Sequence, residues 1–334
     1  MKKSRFLIIP KSNNFRDIIN IKEIANELKI KGHDCITLTS QVSDKNLEFI
    51  LKEEKFNCVF RVNKGKPEKV DRNIRFISWV SEISDLNECL DNFNENDLIY
   101  TLKKKTSNSK KIKISQMLGA ANYFKNILTL SEIQCITDHY NSFQDIDISL
   151  ISNYNRVDLF NGAKESIFNK SKKNSEKHEN FHQFLNSLEN EYKIEVYSLV
   201  NYQNLAKNKN IKYNGEINNF NYFFEIFRKS KFNFLFEDDF LDFNTNFFNI
   251  LLVEGTLIFN EKLLNQLQNY LNLEEDTLNY FIHFKSAKSF KSNFYNHYDN
   301  LNKRLQIGIK ASKLVRKKHL YKNRVDQILR DLAL

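Results

Sequence analysis

The first sixty residues switch repeatedly between two hydrophobic periods, and that switching restricts the folds open to the chain. Arg5 to Pro10 (RFLIIP) is a continuous apolar run of the kind found in strands buried on both faces. Phe15 to Lys31 then places Ile18, Ile21, Ile24, Ala25 and Leu28 close to helical spacing. Gly32 follows, as a helix C-terminal cap should. Asp34 to Ser40 (DCITLTS) reads as a second strand, Asn46 to Lys55 as a second helix and Phe56 to Val62 (FNCVFRV) as a third strand. Strand, helix, strand, helix, strand predicts a parallel sheet covered by helices on both faces.

The same alternation continues. Ile74 to Val80 and Asp97 to Leu102 are strand-like, and Ile133 to Ile136 (IQCI) is a weaker apolar run. A second sheet begins at Ile146 to Ser152, with further strands at Ile194 to Val200, Lys212 to Tyr213, Phe232 to Phe236 and Thr256 to Phe259. Helices are expected at His178 to Tyr192 and Asn219 to Ser230. The two halves read as two copies of one architecture. The prediction is therefore an α/β protein of two Rossmann-like domains, residues 1–143 and 144–334.

Composition narrows the function. Seven glycines and two prolines leave no Gly-rich phosphate loop of the P-loop kind. The four cysteines, Cys35, Cys58, Cys89 and Cys135, show no CxxC spacing. They are expected to be buried free thiols in a reducing compartment. The net charge of +10 is compatible with nucleic acid, an anionic membrane or a phosphorylated substrate. The abundance of Lys, Asn, Ile and Phe is also what an AT-rich genome favours, and no basic helix with interleaved aromatics or zinc knuckle points to nucleic acid. The apolar run at the N-terminus is too short for a secretion signal or a membrane span. The expected location is the cytoplasm, with peripheral contact at the inner membrane face.

Several segments resemble a known family. Tyr213 to Lys231 (YNGEINNFNYFFEIFRKSK), Asn244 to Asn260 (NTNFFNILLVEGTLIFN) and Ile309 to Leu332 (IKASKLVRKKHLYKNRVDQILRDL) follow, in order, three segments of the glycosyltransferase group that includes the CgeB-like spore-coat proteins. The last is the most specific. Ile114 to Lys125 is loosely similar to the segment that closes that group's first domain, and Asp147 to Asn153 to the first strand of its second. The resemblance implies a GT-B glycosyltransferase of the group 1 type. The family glycine is missing from the Asp147 to Asn153 segment, and two further features depart from the pattern. Thr245 to Phe248 (TNFF) has no counterpart of the family arginine, and the family carboxylate falls on Ile250.

The resemblance also implies the chemistry. A nucleotide-sugar is the donor substrate, with no cofactor and no metal. A cell-surface glycan, a lipid-linked intermediate or a protein is the acceptor. The leaving diphosphate needs helix N-termini and basic side chains, and the acceptor of an inverting enzyme needs a base. Ser152, Asn153, Asn155 and Arg156 follow the first strand of the second sheet, where open α/β folds bind ligands. Asn244, Thr245 and Asn246 precede a helix and can meet phosphate or simply cap it. Glu237 and Glu254 are candidates for the ribose hydroxyls, and Gly255 for a close backbone approach. Glu82, Asp85, Asp138 and His139 are the candidate bases. A second reading keeps the scaffold and drops the chemistry: a degenerate GT-B protein that serves as a binding or partner subunit.

Overall fold

In the computed structural model the described residues are 3–81, 83–86, 89–103, 112–122, 127–136, 143–151, 192–197, 209–217, 219–235, 246–271 and 280–333. They form two compact units. The first comprises Met1–Phe124, Leu241–Phe248 and Val315–Leu334, and the second Lys125–Phe240 and Asn249–Leu314.

The first unit is built on strands β1 (Arg5–Ile9), β2 (Asp34–Thr37), β3 (Cys58–Val62), β4 (Arg75–Val80), β5 (Leu98–Thr101) and β6 (Lys113–Gln116). They pair in the order β2-β1-β3-β4-β5-β6, every pair parallel. Helix α1 (Phe15–Ile30) starts on the Asn14 side chain, which accepts the Asp17 N–H. It stops at Gly32, whose φ is +90°. There the Gly32 N–H donates to Lys29 O and the His33 N–H to Leu28 O, the paired bonds of a Schellman cap. Helix α2 (Asp44–Glu53) is capped by Ser43. Alternate strand residues feed two cores. Phe6, Ile8, Phe60, Trp79 and Tyr100 pack under α1, while Leu7, Ile9, Val59, Phe76 and Ile99 pack on the α2 side with Leu47.

The second unit opens with α3 (Leu130–Ile136), followed by β7 (Ile146–Ile151), β8 (Ile194–Tyr197) and β9 (Ile211–Asn214). Helix α4 (Phe220–Lys229), β10 (Ser230–Leu235), helix α5 (Asn246–Leu252), β11 (Leu257–Asn260), helix α6 (Glu261–Leu271) and β12 (Ile282–Phe284) come next. Helices α7 (Ala287–Tyr298), α8 (Leu301–Lys318) and α9 (Tyr321–Asp331) complete the chain. The sheet order is β12-β11-β10-β7-β8-β9, again parallel throughout. Much of the phenylalanine content goes here: Phe232, Phe234, Phe284, Phe290 and Phe294 sit in one core.

Four features differ from the sequence reading. The apolar run IQCI lies in helix α3, because Thr129 and Glu132 form a reciprocal N-terminal cap: Thr129 N–H donates to Glu132 Oε2 (2.6 Å) and Glu132 N–H to Thr129 Oγ1 (3.3 Å). The unit boundary falls at 124/125 rather than 143/144, since α3 packs with the second unit. Helix α9 belongs to the first unit, where Tyr321, Val325, Ile328 and Leu329 join the α1 core. Tyr100 Oη donates to Asp331 Oδ2 (2.7 Å) and fixes that helix to β5. Of the four cysteine thiols only Cys58 is buried; Cys35 and Cys89 are half-buried and Cys135 is exposed.

Candidate functional site

In an open parallel sheet the strand order reverses at one point, and ligands bind beyond the carboxyl ends of the two strands there. In the second sheet these are β7 and β10. The chain runs outward from β7 through β8 to β9, then crosses back to β10 and runs outward through β11 to β12. Beneath that point Ser149 Oγ of β7 donates to Asn233 Oδ1 of β10 (2.9 Å). Asn233 Nδ2 in turn donates to Phe227 O (3.1 Å). Both residues are 1% exposed. A buried polar pair at a parallel register fixes the two strands against slippage and holds their carboxyl ends, Ile151 and Leu235, in place.

Ser152, Asn153, Asn155 and Arg156 follow β7 directly, and Glu237, Asn244 and Thr245 follow β10. All seven lie outside the described residues, but both strands they extend end at the reversal point. Ser152, Asn153, Asn155, Arg156 and Glu237 were expected beyond these two strands, and Asn244 and Thr245 at the start of the following helix.

Glu254 and Gly255 are placed elsewhere. They lie just before β11, at the amino edge of the sheet, because α5 returns from the carboxyl end of β10. Glu254 takes the left-handed conformation (φ 66°). Its N–H donates to Leu251 O and the Gly255 N–H to Ile250 O, so the pair closes α5 as a Schellman cap. The Glu254 carboxylate is 6% exposed and accepts the Ser131 N–H at the start of α3 (2.7 Å). A Cβ on Gly255 would stand 2.9 Å from Ile250 Cγ2 and 3.0 Å from Ile250 O. The glycine permits this close approach within the turn that closes α5. Glu254→Ala is expected to lower stability by about 1–2 kcal/mol through loss of the α3 cap, measured by urea denaturation.

In the first sheet the order reverses between β1 and β3. The loop beyond β1 carries a polar network that the sequence reading passed over. Ser12 Oγ (2.7 Å) and Asn14 Nδ2 (3.0 Å) both donate to Asp17 Oδ2. Arg16 Nη2 donates to Asn246 Oδ1 (2.8 Å), and Asn122 Nδ2 beyond β6 donates to Asn20 Oδ1 (3.1 Å). Asn246, expected on the donor, is 1% exposed and serves this network. Asp17 is 3% exposed and already accepts two donors; it orders the loop rather than presenting a base. The signal available was the polar triplet Ser12-Asn13-Asn14 between a buried strand and a helix. Of the candidate bases, Asp85 is exposed on the short turn Ile83–Leu86 beyond β4, and Glu82, Asp138 and His139 lie outside the described residues.

The C-terminal segment that carries the family resemblance has a structural explanation. Arg324 is 7% exposed and donates to Leu118 O (2.9 Å), Gly119 O (2.9 Å) and Lys318 O (3.2 Å). It also reaches His319 Nδ1 (3.1 Å), and the His319 ring stacks on Phe248 with centroids 4.5 Å apart. Burial, with Arg324 and Lys318 adding positive charge, pushes the His319 imidazole down to about 3. Its proton is taken up by the unfolded chain near pH 6.5 but by the folded chain only near pH 3, so stability falls as pH drops through that window. His319→Gln is expected to flatten the slope between pH 6.5 and 4, where one such group contributes up to ~1.4 kcal/mol per pH unit. Urea midpoints at several pH values measure it.

Among the described residues no three His, Cys, Asp or Glu side chains gather as a metal site would need, and no helix is long and apolar enough to cross a membrane. Residues 173–330 match a family profile described as glycosyl transferase-like. No curated protein is significantly similar in sequence. The fold is similar to a glycosyltransferase from Rickettsia africae ESF-5, with a TM-score of 0.58 at 12% identity, over 99% of this chain and 98% of that one. It is similar to WaaG, a glycosyltransferase involved in lipopolysaccharide biosynthesis (TM-score 0.58, 10% identity, 97% and 98% covered). It is also similar to Anabaena Alr3699/HepE, whose structure holds UDP and glucose (TM-score 0.58, 8% identity, 99% and 100% covered). With its two parallel six-stranded sheets, the chain has the two-domain GT-B fold of these glycosyltransferases, and residues 173–330 carry the sequence pattern of a glycosyl transferase-like family.

Proposed function

We propose that this protein is a glycosyltransferase that moves a sugar from a nucleotide-sugar donor to a cell-surface glycan, a lipid-linked intermediate or a protein. The observation that carries the reading is the reversal point between β7 and β10, which lies within the unit that contains most of the family match. The donor binds beyond those two strands. Arg156 neutralises the leaving diphosphate, Ser152, Asn153 and Asn155 hold its oxygens, and Glu237 takes the ribose hydroxyls. Asn244 and Thr245 line the same edge. Glu254 and Gly255 are left out of this set, since both serve the turn that closes α5. The acceptor belongs to the first unit, with Glu82 or Asp85 as the base; the other two candidates, Asp138 and His139, fall in the second unit. No metal or cofactor takes part. The protein works in the cytoplasm and rests on anionic lipid through its basic surface.

A thermal-shift titration with UDP-, GDP-, CMP- and dTDP-sugars tests the reading. A ligand at about a hundred times its Kd stabilises the folded state by about 2.7 kcal/mol. One nucleotide class is expected to raise Tm, Arg156→Ala to abolish the rise, and Glu254→Ala to lower Tm while leaving the rise intact. The absence of the family arginine at Thr245 to Phe248 favours the second reading, a scaffold without donor binding. No shift from any nucleotide at millimolar concentration would establish that one instead.

A further inference from the structure

A pocket lies in the second unit, along the outer edge of its sheet. Among the described strands β12 is the terminal one there, paired with β11. Helix α7, started by the reciprocal Ser286–Ser289 cap, packs against it, and Asn293 Nδ2 donates to the β12 carbonyl of His283 (2.6 Å). Helix α8 closes the third side. Arg304 holds it there, donating to His297 O (2.6 Å) at the end of α7 and to Gln144 Oε1 (2.9 Å). The cleft between them, open to solvent on one side, has a volume of about 450 Å³, within the range of small-molecule sites.

Its lining is basic. On α8, Lys303, Gln306, Ile307 and Lys310 are spaced three, four and seven residues apart, which puts them on one helical face. His297 and His283 face them from α7 and β12, and among the described residues no carboxylate lines the pocket. The His297 Nδ1–H donates to Asn293 O (2.8 Å), which leaves Nε2 as the ring nitrogen for a ligand. Burial holds the His297 imidazole below its usual range, and the charges of Lys303 and Arg304 add to the effect against the Asn293 bond. Phe281, Ile282 and Ile307 supply an apolar wall.

We propose that this pocket is a second ligand site, which takes a small phosphorylated compound. Lys303 and Lys310 clamp the phosphate, His297 donates from Nε2 once protonated, and the apolar part of the ligand lies against Phe281 and Ile307. A dianion beside the ring favours its protonated form against burial and the two cations, so binding takes up a proton. Arg304 raises the local potential but is committed to the His297 carbonyl and to Gln144 Oε1. The site is independent of the donor reading, because it lies at the β12 edge and not at the reversal point.

The test is isothermal titration of the full chain with inorganic phosphate and with phenyl phosphate, at pH 6.0 and 7.5, in two buffers of different ionisation enthalpy. Binding is expected to be tighter at pH 6.0, to take up protons at pH 7.5, and to favour phenyl phosphate. Lys303→Gln and Lys310→Gln should each weaken it about tenfold, and His297→Gln should abolish the proton uptake. Arg156→Ala should change none of these values. Equal binding by wild type and both lysine variants would overturn the proposal and place the anion elsewhere. No binding at millimolar phosphate or phenyl phosphate would also overturn it. Circular dichroism of each variant separates a lost site from a lost fold.

Discussion

Replacing Asp97 with alanine is expected to cost the first unit about 3–5 kcal/mol. Asp97 is 0% exposed, and the ammonium it pairs with, Lys66 Nζ at 2.8 Å, is 3% exposed. The same carboxylate accepts the Phe76 N–H (2.7 Å) and the Asn94 N–H (2.8 Å). It therefore ties β4, the approach to β5 and the segment after β3 to one buried point. Alanine leaves a buried ammonium and two backbone donors unsatisfied, and each such loss carries a full desolvation cost. The surface pair Lys3–Asp34 has similar geometry at 3.0 Å, but its side chains are 66% and 57% exposed. Breaking that pair should cost under about 1 kcal/mol. Urea denaturation of the two variants measures the contrast, and an Asp97→Ala loss below about 1 kcal/mol would refute the account. Lys66→Met combined with Asp97→Asn should recover part of the loss, because no charge remains buried.

Gly308→Ala is expected to destabilise the second unit, by about 1–3 kcal/mol, where the same change in an exposed helix would stabilise it by about 1 kcal/mol. The sign is set by one contact. A Cβ at residue 308 would stand 2.3 Å from Glu254 O, 2.9 Å from its carbonyl carbon and 3.1 Å from its Cα. All three are backbone atoms of the turn that closes α5, so no side chain can rotate away. That turn also presents the Glu254 carboxylate to α3. Displacing it should weaken the α3 cap as well, and Gly308→Ala and Glu254→Ala should be less than additive for that reason. A rise in Tm for Gly308→Ala would show that α8 does not approach the turn this closely.

How far the candidate site was legible depended on distance along the chain. Ser152 to Arg156 could be attached to a strand end because the strand precedes them directly. Glu254 could not be placed, because its role depends on Ser131, 123 residues away. A glutamate beside a glycine reads equally well as a ligand contact or as a helix stop. The left-handed backbone of Glu254 is also invisible in sequence, since that position usually holds glycine. The network of Ser12, Asn14 and Asp17 was within reach, being local, but its donors look like ordinary cap residues.

The sequence by itself determined what short-range forces determine. Buried strands such as RFLII, the α1 stripe and its stop at Gly32 each depend on residues within about four positions, and each is where the pattern put it. The weak strands escaped notice. In β6 the four residues are KISQ, none of them fully buried, and only pairing with β5 makes them a strand. Tertiary structure alone decided that α9 packs on α1, that Arg324 closes over the carbonyls of Leu118 and Gly119, and that the second sheet reverses at β7 and β10. Those choices rest on parallel crossovers and buried polar pairs between distant segments, whose energy no local window of sequence contains.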